Sequence, residues 1–415
     1  MKIAIVGSGI AGLTCAYLLN RQHDIQVFEA SDWIGGHTHT VDVEVQGRSY
    51  AIDTGFIVFN DWTYPNFIRL LEQIGVGFKP TEMSFSVSDP ATGVEYNGHD
   101  LNTLFAQRSN LLSPAFWGML RDILRFNRQS LDDLANNRIS ADTTLGQYLD
   151  SNGYGRRFIE HYIVPMGSAI WSMSLADMLG FPLQFFVRFC KNHGLLSVSD
   201  RPTWQVIEGG SRSYVAPLTA SFAERIRLNC PVSRVVRDQD GVTLHSAAGA
   251  ERFDKVIFAC HSDQALALLE QPSEQERDIL GALPYANNDV VLHTDTRLLP
   301  KRKLAWASWN YRLGGPTDQP AAVTYNMNIL QGIDSDTTFC VSLNQTAAID
   351  PSKILARFQY AHPQYSLAGT AAQARWEELL GAQHTYYCGA YWANGFHEDG
   401  VVSALRVARA FGETL

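Results

Sequence analysis

The sequence predicts an α/β protein, α+β overall, built from two units that are each discontinuous along the chain. Three observations predict it. At the N-terminus a β-branched apolar run is followed by a glycine-rich turn and then by a helical repeat. The same style returns between Trp204 and Leu269 and again in the last 30 residues. Between these blocks lie a helical excursion, from about Asp61 to Leu149, and a strand-rich one, from about Asp278 to Leu380. The expected division is a Rossmann-like nucleotide-binding domain made of residues 1–75, 204–275 and 383–415, and a mixed α+β substrate domain made of 76–203 and 276–382.

Lys2 to Val6 reads as a strand, and Ile10 to Leu19 carries apolar residues at helical spacing, so the glycines of Val6-Gly7-Ser8-Gly9-Ile10-Ala11-Gly12 fall between strand and helix. Gly7 permits the tight turn, Gly9 lets a pyrophosphate approach the backbone, and Gly12 lets the helix pack close to the strand. The helix N-terminus then offers free N–H groups to phosphate. Ile25 to Phe28 reads as the second strand and ends at Glu29, 20 residues beyond Gly9. A carboxylate there can meet ribose hydroxyls and would repel a 2′-phosphate. Gly35-Gly36 follows. Val41 to Val45 and Ser49 to Asp53 alternate around Gly47 as a hairpin that delivers Asp53-Thr54-Gly55-Phe56 next to the first motif. Pro65 to Ile74, Ser113 to Arg128 and Thr144 to Leu149 are periodic as helices. Gly209-Gly210-Ser211 opens another helical stretch, Val232 to Val236 and Gly241 to Leu244 read as strands, and Lys255 to Ala259 as a buried strand. Asp289 to Thr294, Ala321 to Asn328 and Phe339 to Asn344 supply strands to the second excursion. Thr385 to Ala390 and Gly395 to Gly400 lead into a last helix through Phe411, with Asp399 as its expected N-cap.

The 415-residue chain is 46% hydrophobic and 18% charged, the balance of a globular protein, which excludes disorder. A formal net charge of -9 and the lack of any Lys/Arg-rich run speak against nucleic acid as a partner. Cys15, Cys190, Cys230, Cys260, Cys340 and Cys388 are scattered without a CxxC pair or zinc spacing, as in a reduced, cytoplasmic protein, and no metal site is expected. Gly7, Gly9 and Gly12 interrupt the apolar N-terminus, which is therefore read as the nucleotide motif and not as a signal peptide. No apolar segment of membrane-spanning length follows.

An NAD dehydrogenase uses the first motif and Glu29 but needs neither Gly35-Gly36 nor a glycine motif at the far C-terminus. Both additions point to FAD, with an NAD-linked protein as the alternative. Val6 to Leu13 with Phe28-Glu29-Ala30, Gly35-Gly36-His37-Thr38, Gly389-Ala390 and Gly395 to Ala404 resembles the flavin-containing amine oxidase superfamily over the first 75 or so residues, the block from Trp204 to Leu269 and the last 30. Val164 to Ser172, Trp204 to Ser211, and Leu292-His293-Thr294-Asp295 with Trp306 to Tyr311 narrow the resemblance. They look like a bacterial branch of NAD/FAD-binding oxidoreductases associated with cyclopropane-fatty-acyl-phospholipid synthases, similar to the N-terminal oxidase-like domain of plant cyclopropane synthases. The resemblance implies an amine oxidase or glutathione-reductase-like FAD fold and, by that association, a lipid or fatty-acyl substrate.

By the same resemblance Gly7, Ser8, Gly9, Ile10, Ala11 and Gly12 line the pyrophosphate, and Glu29, Ala30 and Ser31 meet the adenosine ribose and its surroundings. Gly35, Gly36, His37 and Thr38 continue the cradle, Gly55 and Phe56 approach the flavin ring, and Val232 reads adenine through its backbone. Gly389, Gly395, Phe396, His397, Glu398, Asp399, Gly400 and Val401 make the second flavin contact, where the positive end of the last helix faces the edge on which negative charge develops. The superfamily commonly has Arg where Ser31 and His37 stand. Both departures remove a cationic phosphate partner and leave His37 one hydrogen bond to offer; His37 and His39 otherwise read as a polar pair at a turn.

Amine oxidases usually place a Lys in the strand occupied here by Asn287 to Val291 and a Tyr where Phe396 stands; this chain has neither. Amine oxidation therefore ranks below transfer of hydride from a C–H bond of an apolar, fatty-acyl or lipid substrate to flavin N5. A non-catalytic FAD- or lipid-binding partner of a lipid-modifying enzyme is the third reading. His293 and Asp295 read as an acid–base pair or as a structural pair on one strand face, and Trp171, Trp306 and Trp309 as the wall of an apolar tunnel or as core. Ser113 to Arg128 has Phe116, Met119, Leu120 and Ile123 on one side and Arg121, Asp122, Arg125 and Arg128 around the other. It reads as a domain helix, or as a basic amphipathic helix that would hold the protein peripherally at the inner membrane.

Overall fold

The computed structural model describes residues 1–315 and 317–415. At its centre is a five-stranded parallel sheet in the order Ile226–Arg227, Asp24–Phe28, Lys2–Val6, Lys255–Phe258, Thr385–Tyr387. On one face Ile3, Ile5, Val27 and Ile257 pack against the helices Ile10–Leu19 and His397–Ala410. On the other, Ala4, Val6, Val256 and Phe258 pack against an antiparallel meander, Val232–Asp238, Gly241–Ser246 and Gly249–Phe253. Burial on both faces is why these strands are unbroken apolar runs rather than alternating ones. The helix Ile10–Leu19 is sandwiched in the same way and is buried at nine of its ten positions.

A second sheet has seven strands, in the order Ile354–Pro363, Tyr285–His293, Cys340–Leu343, Val323–Asn326, Trp309–Arg312, Phe85–Asp89, Val94–Asn97. All its pairs are antiparallel except that of Trp309–Arg312 with Phe85–Asp89. Phe85–Asp89 and Val94–Asn97 correct the expectation of a helical stretch between Asp61 and Leu149, as does Phe78–Pro80, which pairs with Trp204–Ile207. Their apolar period is masked by buried polar residues that satisfy one another across strands: Ser86 Oγ donates to Asn310 Oδ1 at 2.8 Å, and Asn310 Nδ2 donates to the Thr324 carbonyl at 3.0 Å. The ten-residue strand Ile354–Pro363 has no counterpart in the sequence reading.

The helical block is led by Pro114–Ala135, which runs a further two turns past the expected Arg128; Ser113 caps it by accepting from the Phe116 N–H at 3.3 Å, with Pro114 in the first turn. Leu145–Ser151, Val164–Trp171 and Leu183–Asn192 pack with it around Phe116, Phe126, Phe158 and Phe186. The hairpin Thr40–Val45 with Arg48–Asp53 forms as read. Its last residue, Asp53, is buried and accepts from Thr40, Ser211 and Gln331. Among the described residues no helix is long and apolar enough to cross a membrane, and no group of His, Cys, Asp and Glu is placed to hold a metal ion.

Candidate active site

The C-terminal ends of the strands Lys2–Val6, Asp24–Phe28 and Lys255–Phe258 open on a cleft of about 870 Å³, the position at which open α/β sheets take ligands. Gly7, Ser8, Gly9, Ile10 and Ala11 line its floor. A Cβ added at Gly9 would find nothing within 4 Å, so bare backbone faces open space at the start of the helix. At Gly12, which lies outside the lining, a Cβ would come within 2.1 Å of the Gly7 carbonyl oxygen. Gly12 serves the close packing of helix on strand, and Gly400 does the same for the C-terminal helix, where a Cβ would lie 2.8 Å from Ile10 Cγ2.

Glu29 stands at the end of its strand with both oxygens engaged. Oε2 accepts from the Ser8 N–H at 2.9 Å and Ser8 Oγ at 2.6 Å, and Oε1 from the Ser31 N–H at 2.9 Å and Ser31 Oγ at 2.8 Å. The Ser31 hydroxyl also lies 3.0 Å from the Trp33 carbonyl. It can turn its proton there and free a Glu29 lone pair for a ribose hydroxyl. Ala30, Ser31, Gly35, Gly36 and Val232 line the same end, and Gly35 forms a backbone bridge to Gly9.

His37 follows that bridge. It lines the cleft, and its Nε2 is buried without a partner. Its ring is 5.2 Å from Tyr360, 5.6 Å from His362 and 6.2 Å from His261. Burial, then the neighbouring His261, push the His37 pKa down to about 4, against a hydrogen bond with the Ala361 backbone. Burial pushes His261 to about 4 and His362 to about 3. The cleft is lined by no Lys or Arg among the described residues, and Glu29 is its one carboxylate. Imidazoles are therefore the groups that can take up positive charge there.

Farther in, the walls are Phe56, Ile170, Trp171, Trp309, Tyr325, Tyr365 and Phe396. Phe56 stacks on His397 with ring centres 3.4 Å apart. Gly55 also lines the cleft, but its lack of a side chain answers to the chain itself, since a Cβ would lie 2.2 Å from the His37 carbonyl oxygen. Trp171 Nε1 donates to the Asn394 carbonyl at 3.3 Å, tying the helix Val164–Trp171 to the C-terminal glycine segment, of which Gly389 and Gly395 are also in the lining. Ser172 ends that helix in the left-handed region, at φ 55°, and its Oγ lies 2.9 Å from His362 Nδ1.

Several expected contacts fall elsewhere. Thr38 is behind the wall, bonded to Tyr214 and, at 3.0 Å, to His397 Nε2. Glu398 caps a different helix, Pro65–Gln73, by accepting from the Asn66 and Phe67 N–H groups at 3.2 and 2.9 Å. Asp399 is not the N-cap, which is Phe396; from the helix's third residue its carboxylate accepts from the Phe396 and Asn394 N–H groups at 2.9 and 3.1 Å. Glu398 and Asp399 line a separate cavity of about 380 Å³ with Trp62 and His193, and Phe396 and Asn394 are walls of both spaces. Burial raises the pKa of both carboxyls, Asp399 to about 6. Val401 is buried in helix packing. His293 and Asp295 do not reach the cleft: His293 Nε2 meets Ser342 Oγ at 2.8 Å, His293 Nδ1 accepts from the Asp295 N–H at 3.0 Å, and the Asp295 carboxylate is held by Arg297 and the Asp350 N–H. Theirs is the structural arrangement. Trp306 is likewise outside, donating to the Pro300 carbonyl.

The sequence reading lacks His261, Tyr285, Tyr360, His362 and Tyr365 and names Asn287 only for the Lys its strand does not carry; all six are in the lining. His261 carries a usable signal, because it follows a buried parallel strand as Glu29 does. The others belong to the strands Tyr285–His293 and Ile354–Pro363 or the turn beyond, and only the fold brings them to the glycine turn.

The donor set fits FAD: a helix start bared at Gly9, a carboxylate at the end of the second strand, and an aromatic chamber closed by a second glycine segment. No curated protein matches the sequence. Solved structures share the fold. A CLA-producing fatty acid isomerase from P. acnes is 16% identical with a TM-score of 0.69, covering 99% of this chain and 98% of its own. Cyclohexylamine oxidase from Brevibacterium oxydans is 16% identical with a TM-score of 0.66, at the same coverages. A putative protoporphyrinogen oxidase from Exiguobacterium sp. is 18% identical with a TM-score of 0.68, again at those coverages. Residues 10–338 match the family described as flavin containing amine oxidoreductase, so the chain belongs to that family and is an FAD-dependent oxidoreductase.

Proposed function

We propose that the substrate is an apolar chain, fatty-acyl or lipid, oxidised at a C–H bond. The observation that carries this reading is the wall chemistry of the cleft: beyond Glu29, which Ser8 and Ser31 occupy at the nucleotide end, no carboxylate among the described residues faces the aromatic chamber to hold an ammonium group. Bound FAD supplies a two-electron acceptor. The chain's own part is to hold the reacting C–H bond in place and keep water out. Ile170, Trp171, Tyr365 and Phe396 provide the apolar surface, and Asn287, Tyr360 and His362 provide polar contacts at one wall. Asn287 lies in the strand where an amine oxidase carries its Lys. That a fatty acid isomerase has the same fold supports the reading.

The amine oxidase reading rests on the smaller cavity, where the Glu398 and Asp399 carboxylates lie behind Phe396, and on the fold shared with cyclohexylamine oxidase. Anaerobic titration of the holoenzyme separates the two. Unsaturated or cyclopropane phospholipids and their free acids are expected to bleach the oxidised flavin band, or to emerge with a shifted double bond on mass spectrometry, while cyclohexylamine and putrescine leave the band intact. Bleaching by the amines alone would replace the lipid reading with the amine one, and no response to either would favour a non-catalytic partner of a lipid-modifying enzyme.

A further inference from the structure

Exposed large apolar side chains are concentrated in one place, outside the cleft lining. Leu101 is 76% exposed, Leu112 88% and Trp117 49%, with Leu111 and Leu124 also exposed. They sit on the short helix Leu101–Leu104, the turn Arg108–Leu112 and the first turns of the helix Pro114–Ala135. This knuckle is fixed: Trp117 Nε1 donates to the Leu111 carbonyl at 2.9 Å, and its ring centre lies 5.5 Å from that of buried Phe105. The turn Lys303–Ala305 packs against Leu101–Leu104 and brings Lys301, Arg302, Lys303 and exposed Leu304 to the same face.

The charge of this face is opposite to that of the molecule. Residues 99–128 and 301–304 contain seven Lys and Arg against Asp100 and Asp122, on a chain of net charge -9. Asp100 is committed to capping Leu101–Leu104, and Asp122 is buried. Among the described residues, Arg108, Arg128, Lys301 and Lys303 have no carboxylate within ion-pair distance, and the Arg121 side chain is 80% exposed.

We propose that this face docks the protein on an anionic membrane, with Leu111, Leu112 and Trp117 entering the headgroup boundary and the surrounding cations meeting lipid phosphates. Apolar side chains set among Lys and Arg, with a Trp at their edge, are the composition of an interfacial anchor. A second copy pairing through this same face about a two-fold axis would set cation against cation, whereas an anionic leaflet attracts each added cation. The inference stands whether or not the substrate is a lipid.

Co-sedimentation of the holoenzyme with vesicles tests it. Vesicles of phosphatidylcholine with phosphatidylglycerol are expected to bind at least about tenfold more tightly than pure phosphatidylcholine, and salt to abolish the difference. The double variants Leu112→Ser/Trp117→Ser and Lys301→Gln/Lys303→Gln are each expected to weaken binding by about tenfold or more, with flavin absorbance unchanged in both and the melting temperature unchanged in the lysine pair. Equal binding to neutral vesicles, no binding to anionic ones, or wild-type binding by both variants would overturn the proposal. So would a concentration-dependent dimer that Leu112→Ser/Trp117→Ser abolishes, which would assign the face to a second copy.

Discussion

His37 stands beside the glycine turn, where a diphosphate would approach, and it does so with Nε2 unpartnered and its pKa held at about 4 by burial and His261. A neutral imidazole that carries its proton on Nδ1 presents a lone pair at Nε2, and a lone pair repels phosphate oxygen. A bond to phosphate therefore needs a proton. The groups facing His37 are His261, His362, His397 and Tyr360, with Glu29 the nearest carboxylate in the lining, so no resident cation competes. If His37 bonds the diphosphate, FAD binding would raise its pKa and take up that proton, and affinity would fall as pH rises from about 4 towards the raised value, by up to about tenfold per pH unit. Equilibrium release of FAD, read by its fluorescence, is expected to show this slope above about pH 4, and His37→Arg is expected to flatten it. A flat wild-type profile would remove His37 from this role. The glycines give a second residue-scale test. Gly9→Ala meets no protein atom and is expected to fold with an unchanged apoprotein melting temperature but to bind FAD poorly. Gly12→Ala drives a methyl into backbone and is expected to cost about 1–3 kcal/mol of stability or more, seen in denaturant melts. These glycines are legible in sequence because the requirement is local; the imidazoles around His37 are not, because their convergence is tertiary.

Among elements, the C-terminal helix His397–Ala410 secures its neighbour by way of Glu398, whose two oxygens take the N–H groups that start Pro65–Gln73 and the Asn66 amide. Glu398→Gln leaves one acceptor, sets an amide donor against donors and removes the charge that complements the helix N-terminus. The expected loss is about 1–2 kcal/mol in a chemical melt with FAD content preserved; a loss of FAD at unchanged stability would restore Glu398 to the cofactor site. The helices and parallel strands were readable because their burial is simple, one stripe or both faces. Phe85–Asp89 and Ile354–Pro363 were not. The first hides Ser86 in a network no sequence window contains and buries Ser88 beside it, and the second alternates half-buried residues with Arg357 and Gln359, a pattern shared with exposed loops. The sequence places the cap at Asp399, three residues past the actual one at Phe396, because it marks a helix start only to within a few residues.

For the whole molecule, acid stability is set by imidazoles. His37, His193, His261 and His293 are lowered to about 4 and His362 to about 3, each chiefly by burial. Each is neutral in both states above about pH 6.5, and below that the unfolded chain binds protons that the folded one does not until about pH 4. Stability is therefore lost as pH falls through that window. Asp53 and Asp399, raised to about 6 by burial, act in the opposite sense, since the folded state binds their protons first and gains as pH falls from about 6 to about 4. Five groups outweigh two, and the apoprotein melting temperature is expected to fall steadily from about pH 7 to about pH 4.5; a rise over that range would show the carboxyls to dominate.

The register of the parallel sheet also fixes an order in time. Lys2–Val6 pairs with Lys255–Phe258, and that strand with Thr385–Tyr387, so sheet neighbours are made far apart in time. Lys2–Val6 must therefore wait with one apolar edge unpaired until Lys255–Phe258 is made, and Lys255–Phe258 in turn until Thr385–Tyr387 is, each edge exposed meanwhile to wrong partners and to chaperones. A chain stalled or cut before Thr385 is expected to appear as insoluble, colourless protein.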